Sequence, residues 1–323
     1  MKRIKNMWFL ALLIFISNCS NDPVNPDINV DEAINQEMER LNIPAVVACV
    51  VREDEIVWQG IYGYSDASRT IPLTEESLFA IQSISKLFLS TSVMQLWEKG
   101  MIVLDEDINQ YLPFDVRNPR FPELKITPYM LLIHTSGLAW PADDDGIPDF
   151  HHFYRLDEMP LISEWIPEYI LPGGTSYRET VWKEFVPGSQ WLYSNIGTSL
   201  LALIIENITG QDYRDYCREQ ILEPLEMNNS SFRFSELNQE LLVTPFYDNG
   251  HPMHQFNLRH YPVANLKTNI QDFSHFISAF INGGEYKGNR ILESATVEKM
   301  FEIQISNEIS KTDIYRTFFT HWI

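Results

Sequence analysis

The pattern of apolar and polar positions sorts the chain into stretches of different period. Ile34, Met38 and Leu41 fall at i, i+4 and i+7 behind Asp31, which predicts a capped amphipathic helix. Two strands are predicted over 45–51 and 55–62, separated by the charged turn Arg52-Glu53-Asp54. From about Ser83 the period becomes helical. Leu87, Phe88, Val93, Met94, Leu96 and Trp97 cover most of the circumference before Gly100, and a helix apolar nearly all round is a buried one. Thr127-Pro128 supplies an N-cap and a first-turn proline for a helix over 129–134. Residues 143–180 read as irregular, rich in Asp, Pro and aromatics, and are expected to lie over a surface cleft. Helices over 197–208 and 212–222 follow, with Gly210 as the stop between them. Thr268-Asn269-Ile270-Gln271 reads as a capping box for a helix that ends at Gly283-Gly284. Two strands, a long helical middle and whatever closes the sheet make an α+β plan: an antiparallel sheet flanked by helices. Strict βα alternation is absent.

The start of the chain follows a different logic. Lys2, Arg3 and Lys5 precede a ten-residue apolar run from Met7 to Ile16, too short to span a bilayer and suited to a secretory signal. It leads into Ile16-Ser17-Asn18-Cys19, which resembles the lipobox of bacterial lipoproteins and implies acylation of Cys19. Residues 20–30 are polar and proline-bearing, as a tether is. The expected division is a signal over 1–19, a tether over 20–30 and one folded domain over 31–323. The expected location is the bacterial cell envelope, with the membrane reached through the lipid anchor.

Composition changes this picture little. The 323 residues are 45% apolar and 21% charged, which suits a globular core. A net charge of −20 repels phosphate backbones, so nucleic acid is not an expected partner. After Cys19, only Cys49 and Cys217 remain, expected as buried free thiols.

Chemistry concentrates in two short motifs. Ser83-Ile84-Ser85-Lys86 is the only S-x-x-K in the chain. Residues i and i+3 share a helix face about 5–6 Å apart, so the lysine ammonium sits beside the serine hydroxyl. The positive end of a helix favours a developing alkoxide, and burial lowers a lysine pKa toward the range useful for proton transfer. The second motif is Tyr193-Ser194-Asn195. A tyrosine oxygen facing the nucleophile can exchange protons with it, and the Asn amide can bind an acyl amide. Another Y-x-N, Tyr247-Asp248-Asn249, runs into a turn and is set aside.

With these residues in place, the chain resembles the serine β-lactamase and penicillin-binding-protein superfamily, most of all class C β-lactamases and their esterase, D-aminopeptidase and D,D-peptidase relatives. The resemblance rests on Phe79-x-x-x-Ser83-x-Ser85-Lys86, on Leu131-Leu132-x-His134-Thr135-Ser136-Gly137-Leu138, and on Pro187-Gly188-x-x-Trp191-x-Tyr193-Ser194-Asn195. Residues 221–227 and the stretch from Asn282-Gly283-Gly284 to Arg290-Ile291-Leu292 extend it over about 31–301. It implies Ser83 as nucleophile, Lys86 and Tyr193 as proton-transfer groups, and Asn195 as a substrate ligand, with no cofactor and no metal. The family's third motif, K-T-G or H-x-G, is not found. Lys267-Thr268-Asn269 and Lys311-Thr312-Asp313 lack the glycine, and both are expected at the surface. His134 is expected to order a loop. His251 and His254 belong to a surface loop rather than a metal site, and Asp143-Asp144-Asp145 to a solvated one. The chain ends on a strand-like aromatic stretch, so its C-terminal strands are expected to be missing and the domain to be truncated, unstable alone and nearly inactive.

The expectation is a serine hydrolase working through an acyl-enzyme on a small-molecule or peptide substrate: a β-lactam, a D-amino-acid peptide or an ester. The rival expectation is a non-catalytic envelope protein that binds a peptidoglycan-like ligand without turnover. The oligomeric state is left open.

Overall fold

The computed structural model describes residues 29–139, 154, 157–247 and 250–305. Cys19, the acidic run 143–145 and Lys311 lie outside them, as do the signal, residues 20–28 of the tether and the C-terminal stretch; the last two tether residues, Asn29 and Val30, instead cap and open the first helix. Among the described residues no helix is long and apolar enough to cross a membrane.

Helix α1 (Val30–Leu41) begins two residues earlier than its apolar period suggested, because Asn29 and not Asp31 caps it. The Asn29 side chain accepts the Glu32 N–H at 3.3 Å. Strands β1 (Ala45–Arg52) and β2 (Glu55–Gly63) form the expected antiparallel hairpin, paired from Ala45 opposite Gly63 to Arg52 opposite Glu55 with a register shift between Val50 and Val51. Ala48 faces Gly60 on its most buried pair, while Val50 and Val57 stay exposed. A second, two-residue ladder joins β3 (Phe79–Ala80) to a later strand and leads through a 3₁₀ turn, Gln82–Ile84, into α2 (Ser85–Glu98).

The centre of the molecule is α2. Every residue from Ser85 to Leu96 is buried, so its polar groups must find partners inside. Thr91 and Ser92 donate back to the carbonyls of Leu87 and Phe88 at 2.8 and 2.9 Å. The Gln95 amide donates to the Gln220 and Ile291 carbonyls, both at 3.0 Å, and its oxygen accepts from the Tyr216 hydroxyl. Against α2 pack α5 (Asn195–Thr209) and α6 (Tyr213–Cys217), which continues as a π turn over Arg218–Leu222, while α3 (Pro128–Leu132) and α4 (Ile162–Ile170) pack on α5. Thr127 caps α3 as expected, accepting from the Met130 N–H at 3.2 Å. Gly210 stops α5 at φ +70°, a conformation glycine adopts without strain.

Helix α4 is a departure from the irregular stretch expected over 143–180. Ile162, Trp165, Ile166, Tyr169 and Ile170 are spaced as one helical face and all are buried. The apolar face overrides Pro167, which had marked the stretch as broken.

Strand β4 (Lys267–Thr268) pairs with β3, Lys267 opposite Ala80 and Thr268 opposite Phe79. Because Thr268 is held in that ladder, with its hydroxyl 2.7 Å from that of Ser230, Asn269 and not Thr268 caps α7 (Ile270–Ile281). Phe276 of α7 stacks on Phe88 of α2 with ring centroids 4.1 Å apart, and the opposite side of α7 covers β1. A small ladder, β5 (Glu285–Tyr286) with β6 (Asn289–Arg290), and α8 (Ser294–Phe301) close the described chain. Antiparallel ladders and a helical centre are the α+β plan read from the sequence.

Candidate active site

The β3–β4 ladder sets the position of Ser83. The Ile81 N–H donates to the Leu266 carbonyl at 3.0 Å, and the Leu266 N–H donates to the Ser85 hydroxyl at 3.3 Å. These bonds pin the chain on both sides of residues 82–84. Gln82 takes φ +47°, an uncommon conformation for a residue with a side chain, directly before Ser83. Ser83 itself is partly exposed, whereas Ser85 and Lys86 are fully buried. The motif therefore offers a hydroxyl to solvent and keeps the amine inside.

Tyr193 arrives from the other side, just before α5. The Ser194 hydroxyl caps α5 by accepting the Gly197 N–H at 3.0 Å. Upstream, Gly188 at φ +89° lies where a Cβ would sit 3.1 Å from the Met130 methyl, and its N–H donates to the Thr135 carbonyl at 2.8 Å. Segment 187–194, which leads into and carries the second motif, is thereby laid against 134–137, part of the segment between the two motifs.

The structure brings Ser83, Lys86 and Tyr193 together. The Lys86 Nζ donates to the Ser83 Oγ at 2.9 Å, and the Tyr193 hydroxyl is 2.9 Å from the same oxygen. Lys86 also donates to the Val263 carbonyl at 3.3 Å and lies 4.9 Å from the centre of the Tyr193 ring. Burial without a carboxylate partner pushes the Lys86 amine well below its usual range. Burial also pushes the Tyr193 phenol up to about 12, against the Ser83 hydrogen bond that lowers it. At neutral pH the tyrosine keeps its proton. The amine is the group poised to accept one. Asn195 opens α5, and its side-chain oxygen is buried with no hydrogen-bond partner. An unsatisfied buried acceptor calls for a donor, and a substrate N–H is one.

The sequence profile of the beta-lactamase family matches residues 30–316. The chain belongs to the beta-lactamase family. It is 30% identical to "Beta-lactamase-like protein 2" of Dictyostelium discoideum, with 92% of this chain and 55% of that protein covered. It spans about half the length of the curated relatives it matches. Among solved structures, the octameric penicillin-binding protein homologue from Pyrococcus abyssi shares the fold at a TM-score of 0.69 and 23% identity, over 85% of this chain and 59% of that one. EstCE1, described as a hydrolase with promiscuous acyltransferase activity, does so at 0.69 and 17%, over 86% and 77%. Hydrolases are thus among the fold neighbours of this family member.

Other sequence expectations fare unevenly at the site. Tyr247 is exposed and its carbonyl accepts from the Gly250 N–H in a turn, away from the Ser83 group. Cys217 is buried and free; Cys49 is free but only half-buried, because it lies on the hairpin. Lys267 is the clear correction. It is not at the surface but 1% exposed, on β4, where its ammonium donates to Asn257 and lies 4.1 Å from the centre of the Phe234 ring. Backbone pairing on both flanks, to Ala80 and to Ser231, forces this side chain into the core. Burial pushes its pKa down to about 7, with Asp157 opposing. Sequence reading passed over it because the segment opens a helix and lacks the glycine of a K-T-G. His134 was given too small a part: it touches the residue that follows Tyr193.

Proposed function

We propose that the protein is a serine hydrolase that forms an acyl-enzyme on Ser83. The observation that carries this reading is the placement of the hydroxyl oxygen of a partly exposed serine 2.9 Å from both a buried amine and a phenol. Lys86, its pKa lowered by desolvation, takes the Ser83 proton as Oγ attacks the substrate carbonyl. Backbone N–H groups, that of Ser83 among them, hold the oxyanion. Tyr193 stays protonated at rest, so it is suited to deliver a proton to the leaving group and to recover one from the attacking water. Asn195 accepts an N–H of the acyl portion. Water then cleaves the ester between Oγ and the acyl carbon, and Lys86 returns its proton to the departing Oγ, releasing the acid and restoring Ser83.

The substrate class is an amide or ester carbonyl: a β-lactam, a D-amino-acid peptide or an ester. The site of action is the cell envelope, through acylation of Cys19, a reading supported by the lipobox-like segment alone. The test is active-site labelling. A fluorophosphonate should modify Ser83, as mapped by peptide mass spectrometry, and Lys86→Ala should slow the reaction strongly. Modification of another serine, or undiminished labelling of Ser83→Ala, would sink the assignment. Membrane fractionation of wild type and Cys19→Ala tests the location: release of the variant alone supports it, and identical partitioning contradicts it.

A further inference from the structure

The Tyr193 hydroxyl must stay within hydrogen-bond distance of Ser83, yet it sits at the end of a long side chain on a segment that has no regular structure before α5. Something must fix residues 191–194. The contacts converge on His134. The His134 carbonyl accepts the Leu192 N–H at 2.8 Å, and its Nδ1 accepts the Ser194 N–H at 3.2 Å. One residue therefore holds the backbone on both sides of Tyr193. Its ring is tilted against the Tyr193 ring with centroids 4.8 Å apart, and meets the Trp191 ring edge-on at 6.3 Å.

The chemistry of these contacts is selective. A backbone N–H can only donate, so Nδ1 must carry a lone pair and the proton of the neutral ring sits on Nε2. His134 also takes φ +58°. The sharp bend there directs its carbonyl and its ring at the same short segment. Histidine tolerates that backbone region better than most residues, and asparagine does so too. His134 is 2% exposed, so the clamp is shielded from water that would compete for the Ser194 N–H.

We propose that His134 is a positioning residue that sets the place of the Tyr193 hydroxyl through the Nδ1 bond to Ser194. The proposal rests on the acyl-enzyme reading for its kinetic consequence, and on geometry alone for the clamp. His134 touches no reacting atom. It fixes the backbone from which the proton-transfer phenol hangs. An error of about 1 Å in a reacting group costs on the order of 10²-fold in rate, so loss of the clamp should slow turnover without preventing substrate binding.

Three substitutions separate the acceptor from the ring and from the backbone bend. His134→Asn keeps an acceptor close to the Nδ1 position and accepts the positive φ, but loses the ring. His134→Phe keeps a ring against Tyr193 and loses the acceptor. His134→Gly loses both and relieves the bend. Two readouts are taken on each folded variant: amide hydrogen exchange at Leu192 and Ser194, and kcat and KM for a chromogenic ester. The expected result is a kcat lower by about 10- to 100-fold in the Phe and Gly variants, with KM changed less than threefold. Ser194 exchange should be faster in both, and the Asn variant should recover most of each effect. Should His134→Phe match the wild type in exchange and kcat, or His134→Asn do no better than His134→Gly, the acceptor role is wrong. If the wild type does not turn over the ester, the acyl-enzyme reading fails. The Ser194 exchange rates then still decide the clamp.

Discussion

The helical centre and the N-terminal hairpin solve opposite problems. In α2, twelve consecutive residues from Ser85 to Leu96 are buried, and the Thr91 and Ser92 hydroxyls and the Gln95 amide are bonded to carbonyls. In β1 and β2 only Ala48 and Gly60 are buried, and Val50 and Val57 are exposed. The hairpin touches the centre through α7, whose Phe276 stacks on Phe88. Among the described residues, the hydrogen-bond partners of the Ser83 hydroxyl and the Lys86 amine come from the centre or from the loops bound to it: Tyr193, Val263 and the motif itself. The chemistry therefore depends on the packing of α2 and α5 and on the short β3–β4 ladder, and hardly on the two-stranded sheet. A long strand pair is the easiest element to see and the one that matters least to the site.

Six substitutions can break or sharpen that contrast. The largest effect is expected at Lys86. Lys86→Ala removes the one amine beside Ser83 and should reduce acylation of Ser83 by on the order of 10³-fold or more, read as the fluorophosphonate labelling rate. A fall below tenfold would mean that another group accepts the proton. Tyr193→Phe comes next. It deletes one hydroxyl and little volume, so turnover should drop by about 10²–10⁴-fold while the melting temperature shifts little. Tyr247→Phe, in an exposed turn, should leave turnover unchanged; the reverse order would move the site to the wrong tyrosine.

Stability should show the same division. Phe88→Ala empties a fully buried place between α2 and α7 and should cost about 3–5 kcal/mol by denaturant unfolding. Val57→Ala on the outer face of the hairpin should stay within about 0.5 kcal/mol. Equal costs would show that the hairpin and the centre unfold as one tightly coupled body and that exposure is a poor guide here.

One further effect carries a defined pH dependence. Lys267 has its pKa pushed down to about 7 in the fold, against about 10.4 in an unfolded chain. Between those values the unfolded chain binds more protons, so this group makes the fold more stable as pH rises, by up to about 1.4 kcal/mol per pH unit. Below pH 7 both states are protonated and the contribution is flat. Lys267→Met should therefore gain most on the wild type near pH 7, and the gain should shrink toward pH 10. Parallel stability curves would mean that Lys267 is charged and well solvated in the fold.

Much of the centre was legible in the sequence because apolar period and chemistry coincide there. Ser83 and Lys86 are three residues apart at the head of a stretch apolar on all sides, and that spacing alone predicts their contact. Tyr193 lies 110 residues from Ser83. Only the resemblance of its surrounding segment to a known family placed it at the same oxygen. The hairpin was read correctly to within a residue at each end, since alternation and a charged turn suffice. Lys267 was misjudged because a charged residue beside a helix cap looks solvated; only the pairing of its backbone to Ala80 and Ser231 turns it inward. Helix α4 was missed because Pro167 broke a face that five buried residues restore. Both failures have one origin: tertiary packing decided against a local signal.

The central claim is that the oxygen shared by Lys86 and Tyr193 becomes covalently acylated during turnover. Rapid acid quench of the protein mixed with a chromogenic ester, followed by intact-mass and peptide analysis, tests it most directly. The account predicts a transient adduct of the acyl mass on Ser83, formed in a burst with the first equivalent of product and absent from Ser83→Ala. Product release with no adduct, or an adduct on another residue, contradicts it, as does tight ligand binding with neither product nor adduct.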